Sequence, residues 1–405
     1  MRSGYWVIVV ILLARGSYAQ IPVPVFTNKA DSIEYAEMDK TVNELLKRGS
    51  TDGNYEGIDS ALVERQRFLE THPFIYKVVC RQDRSFTPYQ LLPTIANKDS
   101  ITKMSVLGGN RRKLPDSLFL YKNLAELELI GFRLRRVPRK LRVRSLLISS
   151  NTPSRPLKFS KNSTIAVLTI RGDEKGVLPK RYNRLRALQM LTVTRSELRS
   201  SPNVKGCNQL RTLNLNNNAI ERIDPSVLDL PNLESLSFYK NNLKEIPDFL
   251  YTMRSLRVID LYFNHISKVS PAIANWKDLE ILYLANNEIQ SIPNEIGELK
   301  NLKELYLHHN KISNLPASIG QLTSLNILRI NNNGMIEWPA GLTKLKDLVN
   351  FDCSGNAYES LPIDELDFRN MKILSIGDNP WSDTLKERIK MWTNSLRENN
   401  TVVHE

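Results

Sequence analysis

The chain has 405 residues, of which 41% are hydrophobic and 24% are charged, a composition typical of folded proteins. The length allows one long solenoid or two to three compact domains, with a formal net charge of +13. Three cysteines cannot all pair, which excludes a framework of disulfides, so stability must come from a buried core.

The N-terminus has the features of a secretory signal peptide. The first twenty residues, MRSGYWVIVVILLARGSYAQ, contain Arg2, an apolar run and a small-residue site that ends at Ala19. We predict that residues 1–19 are removed and that the protein is secreted, periplasmic or held at the cell surface. Arg15 interrupts the distal part of the run, so an uncleaved anchor is the alternative. The run is short for a membrane span, and no later stretch of the sequence could form one.

Residues 20–100 precede the regular part of the sequence. Within residues 31–73, apolar residues recur at helical spacing in two blocks, which the turn-rich segment KRGSTDGNYEG separates. We predict a leader and an N-terminal helical cap, because the end of a solenoid exposes leucines unless a polar element covers it. A separate functional domain, including an enzyme, is the alternative, although this segment contains no recognisable catalytic motif.

A 23-residue period follows. It has the template L-x-[LI]-x-x-N-x-[IM]-x-x-x-P, as in LYLHHNKISNLP, which begins at Leu305. Its asparagine recurs in seven steps of 23 residues, at Asn218, Asn241, Asn264, Asn287, Asn310, Asn333, Asn356 and Asn379. Such a register indicates a repeated structural unit. A weaker form extends upstream to residue 101, with Ser196, Asp173, Phe132 and Gly109 at the asparagine position.

The pattern L-x-x-L-x-L-x-x-N resembles the leucine-rich repeat family, in the 23-residue style of its bacterial and plant intracellular members. The resemblance covers about thirteen repeats over residues 101–380. It implies an α/β solenoid, a leucine-rich-repeat horseshoe with a parallel concave β-sheet, in which each unit is one short strand, a turn and an irregular or helical return. The L-x-L leucines should face the core and the residues between them should face outward. Cys207 and Cys353 fall at inward positions and should be buried.

Residues 381–405 are predicted to form a C-terminal capping helix and a tail. Trp381, Leu385, Ile389 and Trp392 recur at spacings of 4, 4 and 3 residues, which indicates one apolar helix face. The segment looks like the C-terminal cap of extracellular leucine-rich repeat proteins without its cysteines. The absence of cysteine-rich caps favours an exported protein of a bacterial cell envelope.

The outward positions of repeats seven to twelve combine aromatic, histidine and arginine side chains. Tyrosine and arginine are enriched in binding hot spots because they offer a large, rigid contact area with a polar tip. We therefore predict a concave surface that binds a macromolecule, most simply another protein, through Tyr239, Asp260, Tyr262, Phe263, Tyr283, Tyr306, His308, His309, Arg329 and Asp352. The alternative is a face of strand-favouring aromatic residues that binds nothing.

The adjacent histidines His308 and His309 raise the question of a metal site. Zinc needs three or four converging ligands, whereas neighbouring side chains on a strand should diverge. The nearest carboxylates in these columns, Asp260 and Asp352, are two strands away. We predict no metal, no cofactor and no catalytic residue, since the sequence has no Gly-rich phosphate loop, G-x-S-x-G or H-E-x-x-H motif.

A basic segment provides the second hypothesis for function. Residues 101–212 contain 25 Lys and Arg against 6 Asp and Glu, a net charge of 25 − 6 = +19. Such a block invites an acidic glycan or an anionic lipid surface, and no aromatic stacking platform for nucleic acid is interleaved with it. The candidate residues are Arg133, Arg135, Arg136, Arg139, Lys140, Arg142, Arg144, Arg171 and Arg195. A solvated basic face without a partner is the alternative. The sequence favours a monomeric, non-enzymatic recognition module.

Overall fold

A computed structural model describes residues 24–26, 40, 44, 74–76, 86–88, 92, 98–108, 111–149, 157–161, 164–172 and 181–404. By contacts between residues, the chain divides into two compact units, Met1–Arg133 and Leu134–Glu405. The predicted signal peptide and Cys80 lie outside the described residues. The two helices predicted in residues 31–73 also lie mostly outside the described residues.

The first unit contains short strands. In its described part, β1 (Pro24–Phe26) and β2 (Phe74–Tyr76) form an antiparallel pair, and three further strands are parallel. These are β3 (Phe86–Pro88), β4 (Lys103–Leu107) and β5 (Glu126–Ile130), accompanied by 3-10 helices at Lys98–Ser100 and Asp116–Leu120. Burial alternates along β4 and β5, as the repeat pattern predicts.

One position of the first unit replaces the asparagine by an aromatic ring. Phe132 is completely buried, and its ring lies over Gly108. A Cβ at residue 108 would come within 2.3 Å of that ring, so only glycine fits there. At Phe132, packing thus takes the place of the hydrogen bonds that asparagine makes in the regular repeats, whereas Ser196 donates through its Oγ to the Thr194 carbonyl oxygen at 3.1 Å.

The second unit is built on a long parallel sheet with its strands in chain order. Two short strands, β6 (Arg136–Val137) and β8 (Lys158–Phe159), pair with each other instead. The sheet consists of β7 (Ser145–Ser149), β9 (Val167–Arg171), β10 (Met190–Thr194), β11 (Thr212–Asn214), β12 (Ser235–Ser237), β13 (Val258–Asp260), β14 (Ile281–Tyr283), β15 (Glu304–Tyr306), β16 (Ile327–Arg329), β17 (Asn350–Asp352), β18 (Ile373–Ser375) and β19 (Val402–His404). The predicted 23-residue register is confirmed from Leu213 to Leu374 by the strand pairing.

The return segments of the second unit are 3-10 helices. They span Tyr182–Arg184, Pro225–Asp229, Asp248–Thr252, Pro271–Asn275, Asn294–Glu298, Ala317–Gln321, Ala340–Lys344 and Ile363–Glu365. The proline of the template precedes several of them with an extended backbone, as at Pro247 and Pro293. Neighbouring returns approach closely, since a Cβ at Gly320 would lie 2.4 Å from the carbonyl oxygen of Gly341. The short helix thus lets a return follow each strand without separating the repeats.

The recurring asparagines, which we call the asparagine ladder, join each repeat to the one before it. The Asn264 side chain donates to the carbonyl oxygens of Leu261 and Phe238, both at 3.0 Å, and its Oδ1 accepts from the Leu243 N–H at 3.0 Å. Asn241 and Asn287 make equivalent bonds. Because Asn264 is buried, these bonds satisfy backbone groups that water cannot reach.

The C-terminal end combines a helix with a strand. Helix α1 (Asp383–Glu398) begins at Ser382, whose Oγ accepts from the Leu385 N–H at 3.3 Å. Trp381 precedes the helix instead of lying on it, and its ring stacks on Tyr358. The residues expected to be a tail form β19, which extends the sheet beside β18. No helix in the described part of the chain is long and apolar enough to cross a membrane.

Candidate ligand-recognition surface

The residues predicted to bind a ligand lie in three columns on the solvent-facing side of β12–β17, which we call the open face. Strand pairing aligns Asp260 with Tyr283, Tyr283 with Tyr306, Tyr306 with Arg329 and Arg329 with Asp352 in the first column. The second column, two residues further along each repeat, contains Tyr239, Tyr262 and His308, and the third contains Phe263 and His309. The structure therefore brings together the residues that the sequence grouped.

Aromatic rings join these columns into two clusters. The rings of Tyr239, Tyr262 and Phe263 have centroids 4.6 to 5.7 Å apart. Tyr283 meets Tyr306 edge-on at 4.6 Å. Edge-on and offset contacts of this kind are the favourable geometries for aromatic pairs, worth about 0.5–1.5 kcal/mol each beyond area burial. The clusters hold the rings in place without a ligand, so little conformational entropy remains to be lost on binding.

His308 is the most buried of the predicted site residues, with 9% of its surface exposed. Its Nε2 lies 3.0 Å from the Tyr262 hydroxyl, which belongs to a strand two positions away. Burial lowers the pKa of His308 to about 4, with a smaller contribution from the positive charges of His309 and Arg329. His308 is thus a neutral imidazole near pH 7 and a fixed part of the surface.

The prediction that His308 and His309 diverge is wrong. Their ring centroids are 5.5 Å apart. The cause is local, because β15 ends at Tyr306 and His309 has a left-handed backbone with φ of 52°. Strand alternation therefore no longer applies at this pair. Within the described ranges, no group of three or more His, Cys, Asp or Glu side chains is arranged to hold a metal ion.

The two acidic residues of the first column are held by hydrogen bonds, Asp260 from its own and the preceding repeat and Asp352 from its own repeat. Ser237 donates to Asp260 Oδ2 at 2.8 Å, and the Tyr262 N–H donates to Asp260 Oδ1 at 3.1 Å. Burial raises the pKa of Asp260, while these hydrogen bonds lower it. Asp352 Oδ1 accepts from both the backbone N–H and the hydroxyl of Ser354, at 3.1 and 2.7 Å.

A further outward position, immediately before the first leucine of L-x-L, was missed by the sequence analysis. Glu304 occupies it and accepts from the Tyr283 hydroxyl at 2.8 Å. Burial, together with this bond and the charge of Glu304, raises the pKa of Tyr283. The alternation of strand side chains was enough to place Glu304 on the open face, but the contact from one repeat to the next depends on the sheet.

The basic residues of the second hypothesis are all solvent-exposed. Arg133 ends the first unit. In the second unit Arg136 lies on β6, and the next four residues of the set and Arg135 lie on the loops around it. Arg171 ends β9, and its strand partner is Thr194, which directly precedes Arg195. Arg171 and Arg195 therefore lie at the ends of neighbouring strands.

The two described cysteines are free and buried, as predicted. Burial raises the pKa of Cys207 to about 11 and raises that of Cys353 as well. Both thiols are therefore protonated at neutral pH, and protonated buried thiols are poor nucleophiles.

Comparison with known proteins identifies the repeats. A family model described as a leucine-rich repeat region matches residues 250–398, and a leucine rich repeat model matches residues 208–266. A comparison with curated proteins found no match.

Two solved structures share the fold at low sequence identity. A leucine-rich repeat protein of Leptospira interrogans is 21% identical, with a TM-score of 0.57, and the alignment covers 80% of this chain and 95% of that one. An internalin from Listeria monocytogenes is 17% identical, with a TM-score of 0.53, over 96% of this chain and 99% of that one. Leucine-rich repeat proteins are in general interaction scaffolds and not enzymes. Residues 208–398 thus carry the repeats of this family, and the parallel sheet of the second unit has the fold of a leucine-rich-repeat solenoid.

Proposed function

We propose that the chain is a non-enzymatic recognition module that binds a protein ligand through the open face. The residues in contact with the ligand are the ten predicted from the sequence, from Tyr239 to Asp352. The rigid aromatic clusters support this proposal, because preorganised tyrosine and phenylalanine rings are effective interface anchors.

The observation that carries the proposal is the backbone at Phe263. In the third column, every repeat from Asn217 to Asp378 has a positive φ. Most of them use the residues that tolerate a left-handed backbone best, namely Asn217, Asn286, Asn332, Gly355 and Asp378. Phe263 has a φ of 55° and is 41% exposed, and Lys240 and His309 share this backbone conformation.

A bulky residue in this conformation costs about 1–2 kcal/mol, a cost that asparagine or glycine largely avoids. Contacts with Tyr239 and Tyr262 stabilise the exposed ring, but the repeat does not require a phenylalanine at this position. A bulky residue with a left-handed backbone, where the fold accepts asparagine or glycine, is a candidate functional position. We therefore place the centre of the interface at Phe263.

The test is capture of a protein from the envelope fraction of the producing cell, with purified residues 20–405 as bait. Phe263→Asn should weaken capture at least tenfold, and replacement of Tyr239, Tyr262, Tyr283 and Tyr306 by Ser should abolish it at low and high salt. The matched control is Ile336→Asn, since Ile336 is 58% exposed but lies outside the three columns. Equal capture by Phe263→Asn and Ile336→Asn, with unchanged melting curves, would refute the proposal.

A second candidate function is binding to an anionic glycan or lipid surface through the nine cations. The net charge of +19 in residues 101–212 and the exposure of all nine side chains favour it. Binding of this kind should disappear as salt is raised, because exposed charges are screened over about 8–10 Å at physiological ionic strength. Capture by anionic vesicles that survives high salt would contradict it.

We also propose that the protein is exported. Its proposed location is a bacterial cell envelope. The signal-like sequence ending at Ala19 supports export. Mass spectrometry of the protein from the producing cell should give a mature chain that starts at Gln20. A mass that includes residues 1–19 would favour the uncleaved anchor.

A further inference from the structure

Two nitrogen atoms on the open face are buried and have no hydrogen-bond partner among the described residues. They are Arg329 Nε and His308 Nδ1, which belong to adjacent repeats. A buried donor without a partner is energetically unfavourable, so such atoms are uncommon in folded proteins. Their position on the proposed binding surface suggests that a ligand supplies the partner.

The contact with Tyr262 bears on which nitrogen of His308 carries hydrogen. The Tyr262 hydroxyl lies 3.0 Å from His308 Nε2 and can donate to it. A neutral imidazole has one donor and one acceptor, so with Nε2 as the acceptor Nδ1 carries the hydrogen and is an unpaired donor.

Arg329 has a positive charge that no carboxylate of the described residues neutralises in an ion pair. Its guanidinium lies over the Tyr306 ring, 5.5 Å from the centroid, which orients it. The nearest acidic residue in its column is Asp352, whose Oδ1 already accepts two hydrogen bonds from Ser354. The side chain thus presents an oriented, half-buried cation with a free Nε–H.

Asn331 adds a third group beside these two. It aligns with His308, because the His309 N–H donates to the Asn331 carbonyl oxygen at 3.0 Å. Its amide oxygen is buried without a partner. Rotation of the amide by half a turn exchanges the positions of its oxygen and its NH2 group, so Asn331 can also donate at this point.

We propose that His308, Arg329 and Asn331 form a subsite for a carboxylate of the protein ligand. Two oxygens with one negative charge match the unpaired N–H donors and the single positive charge of Arg329. A neutral amide would leave that charge unbalanced. The inference rests on the proposed function and specifies the chemistry that the partner must present, either as an Asp or Glu side chain or as a chain terminus.

The probes are acetyl-glutamate α-amide, which carries a side-chain carboxylate, and acetyl-glycine, which carries a main-chain carboxylate. NMR of the full chain with labelled histidine follows the His308 ring during titration. At pH 7, where both probes are ionised, we expect saturable shifts of the His308 ring signals. Acetamide should have no effect. The probe that binds at least tenfold more tightly identifies the source of the carboxylate.

Arg329→Gln should reduce affinity for both carboxylates at least tenfold while leaving the His308 signal of the free protein in place. The matched control is Arg257→Gln, because Arg257 already pairs with Glu280 away from the subsite. Equal effects of acetamide and carboxylates, or unchanged affinity in Arg329→Gln, would overturn the inference. If the carboxylates fail to bind while capture still depends on Phe263, the subsite is wrong and the proposed function stands. If the carboxylates bind but capture is the same for Phe263→Asn and the unsubstituted protein, the subsite exists and the proposed function is wrong.

Discussion

The two faces of the same strands have different roles. On the buried face, Leu282, Leu305 and Leu328 are fully enclosed and recur with nearly identical neighbours. On the open face, the residues between them change from Tyr283 to Tyr306 to Arg329. The recurring leucines of the buried face pack the repeats together, whereas the residues of the open face differ from one repeat to the next. Stability should therefore depend on the repeated positions and ligand specificity on the variable ones.

The strongest test of this comparison is Leu305→Asp. Leu305 is fully buried, and an unpaired carboxylate in its place should cost more than about 5 kcal/mol in the free energy of unfolding. Circular dichroism should show that the variant is already unfolded at ambient temperature and has no cooperative melting transition. The control is the neighbouring substitution Tyr306→Ser on the open face, which should retain the transition. A normal melting curve for Leu305→Asp would mean that the assignment of faces is wrong.

The asparagine ladder should have the next largest effect. Asn264→Ala removes the hydrogen bonds of this side chain and leaves buried backbone groups unsatisfied, for a loss of about 2–4 kcal/mol in the free energy of unfolding. Urea titration measures this change. Asn301→Ala is the matched control, since Asn301 makes an exposed bond to the Lys277 carbonyl oxygen and should cost less than about 1 kcal/mol. Equal losses in the two variants would show that the ladder does not stabilise the stack.

His308 lies on the open face but is buried like a core residue. Its pKa is lowered to about 4 in the folded protein, whereas an unfolded histidine titrates near 6.5. Between these values the unfolded state binds the extra proton, so stability is fully present above pH 6.5 and falls with decreasing pH. When the pH is lowered from 7 to 4.5, the free energy of unfolding should fall by about 2 kcal/mol more in the protein than in the His308→Asn variant. Urea titrations at the two pH values measure these losses. If the protein and His308→Asn lose the same free energy of unfolding, the pKa of His308 is not lowered by folding.

The smallest expected effect has the opposite sign. Lys240 is exposed in the third column with a φ of 55°, where most other repeats have asparagine, aspartate or glycine. Lys240→Asn should raise the free energy of unfolding by about 0.5–1 kcal/mol, because asparagine tolerates the left-handed backbone better. The control is Lys244→Asn, an exposed position outside the positive-φ column. A loss of stability on Lys240→Asn would mean that this column is not strained.

Most of the fold was predictable because the same sequence pattern recurs in many repeats, and each recurrence indicates the same local structure. The 23-residue register, the burial of Leu305 and the hydrogen bonds of Asn264 all follow from side-chain alternation and from the need to satisfy backbone groups. The 3-10 form of the returns and strand β19 did not follow. Residues 402–404 carry no repeat motif, and they become a strand because the edge of β18 offers unpaired backbone groups.

The period, the buried and open faces, and the columns that align Tyr306 with Arg329 could be predicted from the amino-acid sequence. These properties depend on spacing along the chain, which one sequence displays completely. The folded structure was needed to show that His308 contacts Tyr262 across two strands, and that Arg329 Nε has no partner among the described residues. Those properties depend on the distances between side chains of different repeats, because burial and hydrogen bonding arise only once the strands are stacked.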